Sequence, residues 1–512
     1  MTLSRQSPLA GDLRPDGAAS QMVLRACRRT GPGMALAGMW LLLLMVSGCA
    51  ILRDVPEPVE HRIPAAPVPA TWEGDTAAGT GPAEDILDLE WTAFFSDKDL
   101  QSVIETALDN NRDLRLAALR VSEARATYEI QLAETFPILG ATGQAARARL
   151  PGDLNISGRP VTSNQFETYL GLSSWEVDFW GRIESLSDAA LQSYFATEAG
   201  QRGAQLALIA QTAKAWLTLS ELDARTEIAR RTLESRRESF RIFRLRNEMG
   251  STSRLDLTQV ETLYVQAEIL VTQLEQARAL QAHYLDQVSG AIVSDTIIGT
   301  GRLHEIEFPD LVPGIPSDIL VRRPDILAAE FRLKAAQANI DAARAAFFPR
   351  IALTGNLGVA STDLEDLFRI ADSNTWSFVP SVSVPLFEGG RLRNRYDIAE
   401  IRRDAAVAAY EKALQEAFRD VADALTLRRG LDQQFQLMEQ AVTIQQERTR
   451  LARMRYDNGA AAYLEVLDSE RDLLSAEQQL AQIHGAQLAS HVALFTALGG
   501  GTEVPELDTP DR

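Results

Sequence analysis

The stretch Asp325–Gly355, DILAAEFRLKAAQANIDAARAAFFPRIALTG, superposes without a gap on Asp113–Gly143, DLRLAALRVSEARATYEIQLAETFPILGATG, at a shift of 212, with ten of the 31 positions identical. Among the identities are Asp113/Asp325, Arg120/Arg332, Phe136/Phe348, Pro137/Pro349, Thr142/Thr354 and Gly143/Gly355. A second block repeats at a shift of 209: Gly181-Arg182 answers Gly390-Arg391, and Gly250 answers Gly459. Further on, Leu255, Asp256 and Glu261 answer Leu464, Glu465 and Glu470. Solenoid units are roughly 20–50 residues long, so this period reads as one large supersecondary unit written twice. A chain with internal pseudo-symmetry places its special features on an axis, where assemblies and pores have them more often than catalytic clefts do.

Within the quoted stretch Pro349 ends a helix, and the residues after it alternate. Ile351, Leu353, Gly355, Leu357 and Val359 lie on one face; Ala352, Thr354, Asn356, Gly358 and Ala360 lie on the other. Phe378, Val382, Val384 and Leu386 similarly oppose Ser377, Ser381 and Ser383, and residues 138–147 and 166–179 carry a weaker copy. An apolar face backed by a small polar one over ~10 residues is the pattern of a transmembrane barrel strand. An ordinary half-buried sheet reads the same way in isolation, and the context decides.

That context is helical. Arg182–Glu248 and Arg391–Tyr456 contain no proline, and seams such as Leu206, Ile209, Ala213 and Trp216, or Leu431, Phe435, Met438 and Val442, follow three- and four-residue spacing. Each such rod would be roughly 100 Å long, a length suited to bridging space rather than to filling a globular core. The expected fold is therefore α+β, mainly α, with two hairpins feeding two long helical hairpins. Four strands cannot close a transmembrane barrel, which starts at about eight, and lipid does not tolerate open edges. Two chains would supply eight strands and three would supply twelve.

At the N-terminus Arg25, Arg28 and Arg29 precede the apolar run 34–46, followed by Ser47, Gly48 and Cys49. This is the pattern of a secretory signal; a membrane-spanning helix needs ~20 apolar residues. A cysteine after the small residues resembles a bacterial lipoprotein signal, and that resemblance implies that Cys49 receives the lipid and that Ala50 directs the chain to the outer membrane. Translation could also start at Met22 or Met34. Cys27 would leave with the leader and Cys49 would be spent on lipid, so no disulfide is expected. Loss of a leader with five Arg and two Asp would take the net charge from −19 to about −22. So acidic a surface argues against nucleic acid or anionic lipid as the main partner.

Catalysis finds no support. There is no glycine-rich phosphate loop, no Gly-x-Ser-x-Gly elbow and no cysteine–histidine pairing in the mature chain. His484 and His491 are seven apart, which does not match the i,i+4 spacing of a helical zinc pair. No cofactor and no metal are expected.

Leu320-Val321-Arg322-Arg323-Pro324-Asp325-Ile326, continuing to Phe347-Phe348-Pro349, resembles the most characteristic motif of TolC-type outer-membrane efflux proteins, in particular their lipoprotein branch. Pro385-Leu386-Phe387-Glu388-Gly389-Gly390-Arg391-Leu392 is similar to a second signature. Tyr456-Asp457-Asn458-Gly459, with Leu464-Glu465-Val466-Leu467-Asp468, is similar to a third. The likeness runs from about residue 85 to 500. It implies a homotrimer with a twelve-stranded outer-membrane barrel, a periplasmic helical barrel and an equatorial band. Its implied partners are a periplasmic adaptor, an inner-membrane pump of the resistance-nodulation-division class and outer-membrane lipid.

The resulting organisation is a signal at 1–48, a lipidated Cys49 with a Pro/Ala tether over 49–83, repeat 1 over 84–292 and an equatorial connector at 293–320. Repeat 2 follows at 321–500, and a tail at 501–512. The strand hairpins are expected near 137–179 and 349–387, with outer loops at 148–164 and 361–374. At the opposite end the chain turns at Gly250, Ser251 and Thr252 and at Gly459, Ala460 and Ala461. Glycine there caps a helix, and the resemblance implies that these tips meet the adaptor. Glu465 and Asp468 lie one helical turn apart, with Asp256 at the place of Glu465 in the first repeat. Carboxylates so placed favour the positive end of a helix dipole. The resemblance also implies a constriction at which a threefold axis would stack them into acidic rings that attract cations. A closing ion pair would draw on Arg254, Arg453 or Arg455. The expected function is a passive exit duct for small molecules. The rival readings are a protein-secretion channel and a lipid-anchored periplasmic spacer without a pore.

Overall fold

The computed structural model describes residues 55–58, 89–294, 303–309, 311 and 322–500. Leaving one-turn helices unlabelled, the first repeat runs α1 (Lys98–Asn110), α2 (Arg112–Ala133), β1 (Leu139–Leu150), β2 (Val161–Val177), α3 (Arg182–Glu248) and α4 (Arg254–Ser289). The second runs α5 (Pro324–Ala345), β3 (Arg350–Ser361), β4 (Asn374–Ser383), α6 (Arg391–Asp457) and α7 (Tyr463–Ala497). Cys49, the leader, the C-terminal tail and most of the connector lie outside the described residues. None of the described helices is long and apolar enough to cross a membrane.

The long helices start and stop by the same means in both repeats. Gly181 and Gly390 precede them in the left-handed region, at φ 71° and 85°, which favours glycine. At the far ends Ser251 N–H reaches Arg246 O and Ala460 N–H reaches Arg455 O, each at 2.8 Å, around Gly250 and Gly459 at φ 73° and 70°. This double closure caps the last carbonyls of a helix. α6 continues one residue past Tyr456.

The four strands form one antiparallel sheet in the order β1-β2-β3-β4. Their registers align Leu139, Leu172 and Gly355, and beside them Leu170, Leu357 and Trp376, so one face is apolar across the whole sheet. Leu139, Leu170, Leu357, Trp376 and Val382 on that face are each more than three-fifths exposed in the single chain, a state that only a surrounding apolar medium satisfies. The other face pairs Gln144 with Glu167 and Asn356 with Ser377. A bulge between Leu172 and Trp175, with Ser174 at φ 37°, returns Trp175 and Val177 to the apolar side. The first outer loop is shorter than expected, because Ala148↔Ser163 and Arg149↔Thr162 still pair and the ladder ends only at Leu150↔Val161. The alternation in the sequence stops at Arg147, whereas backbone pairing carries the strands past the apolar band. The second loop falls between Ser361 and Asn374 as expected.

The main core sits midway along the rods. Phe94 and Phe495 stack at 4.3 Å between ring centres, Phe95 and Phe308 pack against them, and the seam Leu206, Ile209, Ala213 and Trp216 is buried alongside. Arg323 shows why the Arg-Pro-Asp motif belongs here. Its guanidinium, buried at 8% exposure, forks onto Asp325 at 2.8 and 3.0 Å and donates to the carbonyl of Ala497 at 2.7 Å. The start of α5 is thereby tied to the carbonyl-rich end of α7, where a cation is favoured.

The two repeats differ in how their leading helices pack. α5 lies between α3 and α6 and buries eleven residues, whereas its counterpart α2 packs mainly on α3 and buries none.

Candidate functional site: the hairpin tips

At the first tip Asp256 completes a capping box. Its N–H donates to Ser253 Oγ at 3.1 Å, and Ser253 Oγ donates back to Oδ2 at 2.6 Å. The Ser253 backbone N–H and the Thr252 hydroxyl add bonds to the same oxygen at 3.3 and 3.2 Å. The Ser253 hydroxyl, and then these other donors, hold the Asp256 carboxyl below the ordinary carboxylate range.

The second tip lacks that cap, since Ala462 stands where Ser253 does and offers no side-chain acceptor. Glu465 instead takes a charge-assisted bond from the Arg455 guanidinium of its own hairpin. Asp468 pairs with Arg471 at 3.3 Å and Glu470 with Arg453 at 3.4 Å. Burial pushes the Glu470 carboxyl up, against the pull of Arg453 and Arg236. Of the three arginines considered for a closing pair, Arg455 and Arg453 are thus engaged within one hairpin, and Arg254 forms no ion pair among the described residues. Asp256 and Glu465 correspond in the repeat but hold different partners.

The two hairpins are joined by contacts that the sequence reading did not name. Tyr463 Oη donates to Ser239 Oγ at 3.0 Å, and Arg246 Nη1 donates to Tyr456 Oη at 2.8 Å. The Tyr463 ring packs at 4.5 Å on Phe243 and at 4.9 Å on Tyr456, over a cluster with Leu257, Val260 and Leu467. One signal was available: at the shift of 209 these tyrosines answer Asn247 and Arg254, so the aromatic pair breaks the repeat on one side only.

The turn residues face outward. Gly250, Ser251, Gly459 and Ala460 are exposed, Thr252 and Ala461 are half-buried, and a Cβ at either glycine would meet nothing within 4 Å. Farther up, His304, His484 and His491 line a cavity of about 770 Å³ with Phe308 and Phe435. Burial, and then the neighbouring His304, hold His484 below the usual imidazole range. No metal-holding group of three or more His, Cys, Asp or Glu occurs among the described residues.

Comparison with known proteins is consistent over about nine-tenths of the chain. The family model described as "Outer membrane efflux protein" matches twice, over residues 103–291 and 315–500, in step with the repeat. The probable efflux pump outer membrane protein TtgC of Pseudomonas putida is 38% identical over 469 residues, covering 91% of this chain and 96% of that protein. A membrane protein of Pseudomonas aeruginosa of known crystal structure superposes with a TM-score of 0.82 at 37% identity, over 88% of this chain and 97% of its own. The open state of the Neisseria gonorrhoeae MtrE outer membrane channel gives a TM-score of 0.79 at 34% identity, over 87% and 98%.

Proposed function

Because the chain belongs to the outer membrane efflux protein family, we propose that three copies close a twelve-stranded barrel above a helical duct in the periplasm, and that small molecules leave through it. The observation that carries this reading is the pair of free edges, β1 and β4, on a sheet whose outer face is apolar. In lipid such edges must be paired, and β4 of one copy meeting β1 of the next pairs them all. The bare face of α2 supports the same closure, since α6 of a neighbour would cover it as α3 covers α5.

The protein is the outer-membrane channel of an efflux system, located in the outer membrane with a periplasmic extension, and its family is one of transport rather than catalysis. TtgC is named as an efflux pump component, and that name supports a three-part machine with an adaptor and an inner-membrane pump. In the proposed arrangement the pump is of the resistance-nodulation-division class, and Cys49 carries the lipid. The adaptor meets Gly250, Ser251, Thr252, Gly459, Ala460 and Ala461, whose small side chains let partner helices approach closely. Asp256, Glu465 and Asp468 line the constriction, with Asp256 also fixing its own helix start. The tip is held shut by the links from Tyr463 to Ser239 and from Arg246 to Tyr456, and opening separates the two hairpins at these contacts.

Planar-bilayer conductance of the purified protein tests the duct and the ring together, with wild type beside Glu465→Ala/Asp468→Ala. Larger steps, or weaker cation preference in the variant, are expected. An indifferent variant would remove these carboxylates from the constriction. Silence of both, with monomers in detergent, would end the channel reading.

A further inference from the structure

A cavity of about 420 Å³ opens between the upper ends of α3, α5 and α6, and four arginines line it. Arg182 is committed to Glu176 at 2.8 Å. Arg332, Arg395 and Arg402 are exposed and form no ion pair or side-chain hydrogen bond among the described residues. Several other exposed helical arginines do take an acid within a turn, as in Arg125–Glu129, Arg241–Glu238, Arg393–Asp397 and Arg450–Glu447. At Arg332, Arg395 and Arg402 every position three or four residues away is Ala, Ile, Leu or Arg, so no helical acid can reach them. The Glu388 carboxylate, paired with Arg391, also feels the charge of Arg395. In a protein with 70 acidic and 51 basic residues, three guanidiniums without a direct ion pair in one concavity concentrate a local positive field.

The side of the wall follows from the tether. Arg344 of α5 donates to the carbonyl of Pro56 at 2.8 Å, seven residues past Cys49. A lipid on Cys49 must lie in the bilayer outside the barrel, so the Arg344 face of α5 is the outer face. At 3.6 residues per turn Asn339 and Arg332 lie about 140° and about 120° round the helix from Arg344. The cavity therefore opens toward the lumen. Beside the guanidiniums its lining is mostly apolar, with the alanines of α5, Leu186 and Ile398, and adds the polar Ser193 and Asn339.

We propose that this cavity is a luminal binding cradle for small organic anions with an apolar body, the guanidiniums taking the carboxylate or sulfonate and the alanine floor taking the body. Threefold symmetry repeats it around the duct. Guanidinium forks suit planar and tetrahedral oxyanions, and the cradle stands above the acidic tip, as a second station on the exit route. The luminal placement rests on the proposed duct; the anion selectivity rests on the cavity itself.

The test is isothermal titration of the full-length protein in an uncharged maltoside detergent, with 2-naphthalenesulfonate beside the neutral 2-naphthalenemethanol. Wild type should bind the sulfonate about tenfold more tightly than the alcohol. Arg332→Gln/Arg395→Gln/Arg402→Gln should lose that preference and leave alcohol binding unchanged, while the triple lysine variant should keep part of it. Equal wild-type affinities, or an unaltered preference in a glutamine variant that still assembles, would overturn the cradle. If the glutamine variant fails to assemble, the lysine variant decides: retention of the full preference would overturn the guanidinium fork. Conductance of the same samples separates the two readings, since a conducting wild type without preference sinks the cradle alone, and preference in a protein that is silent and monomeric in detergent sinks the duct alone.

Discussion

Tyr463, the first residue of α7, donates its hydroxyl to Ser239 of α3 at 3.0 Å, joining the tips of two helical hairpins across 224 positions of sequence. The bond lies over a ring contact with Phe243, so polar and apolar links act at one point. At this end two hydrogen bonds and one aromatic cluster join the tips of rods roughly 100 Å long, and a contact so local is a point at which a small free-energy change alters the whole end of the duct.

Removing those links one at a time should therefore open the tip by degrees. Tyr463→Phe keeps the ring and loses the bond to Ser239, and Tyr456→Phe loses the bond from Arg246. A net hydrogen bond contributes about 1 kcal/mol, which is about fivefold in the open-to-closed ratio. Single-channel recordings should show each variant open more often and the pair more often still. Unchanged open probability in the double variant would place the closing contacts elsewhere.

The registers of the sheet predict the closure of the barrel. Leu139↔Leu172 in the first hairpin corresponds to Ile351↔Val382 in the second. Carrying the pair Gly171↔Asn356 between the hairpins through the same correspondence sets Ser381 of β4 opposite the partner subunit's Gln144. With Cys49 lipidated as proposed, oxidation of Gln144→Cys/Ser381→Cys should yield covalent dimers and trimers on a denaturing gel. Moving one cysteine to Ala145 turns it to the other face and should abolish the ladder; equal ladders from both pairs would mean the register slips.

Arg323 should matter to assembly rather than to passage. Arg323→Ala strips a buried cation from Asp325 and from the Ala497 carbonyl. Because Asp325 is half exposed, a loss of about 2–3 kcal/mol is expected. Trimers should dissociate at lower temperature while surviving trimers conduct normally. Arg323→Lys, which keeps the charge but not the fork, should fall between.

Acid should favour the second tip through Glu470. Its carboxyl is pushed up by burial, so its folded-state value lies above the unfolded one. Its stabilising contribution is complete below the ordinary glutamate range and is lost as pH rises through the raised folded value. Melting temperatures followed from neutral pH down to the ordinary glutamate range should rise for wild type relative to Glu470→Gln. Parallel curves would mean that Arg453 and Arg236 compensate the burial in full.

The sequence by itself determined the architecture. Duplication, proline-free rods and alternating strands are local or periodic signals, and hydrophobic periodicity records which face of an element meets an apolar medium. The left-handed glycines at 250 and 459 were legible for the same reason, because they answer a local backbone demand, whereas Gly181 and Gly390 were legible only as a repeated pair. The candidate site was legible only in part. Asp256, Glu465 and Asp468 could be placed at the tips, but the capping box on Asp256 and the Arg455 partner of Glu465 depend on side-chain reach within the folded turn. Tyr463 with Ser239, and the three arginines gathered from α5 and α6, became neighbours only when distant segments packed together. No period in a sequence encodes a contact between helices that share no repeat position, so tertiary structure alone decided how the tips are joined and where the unpaired charge collects.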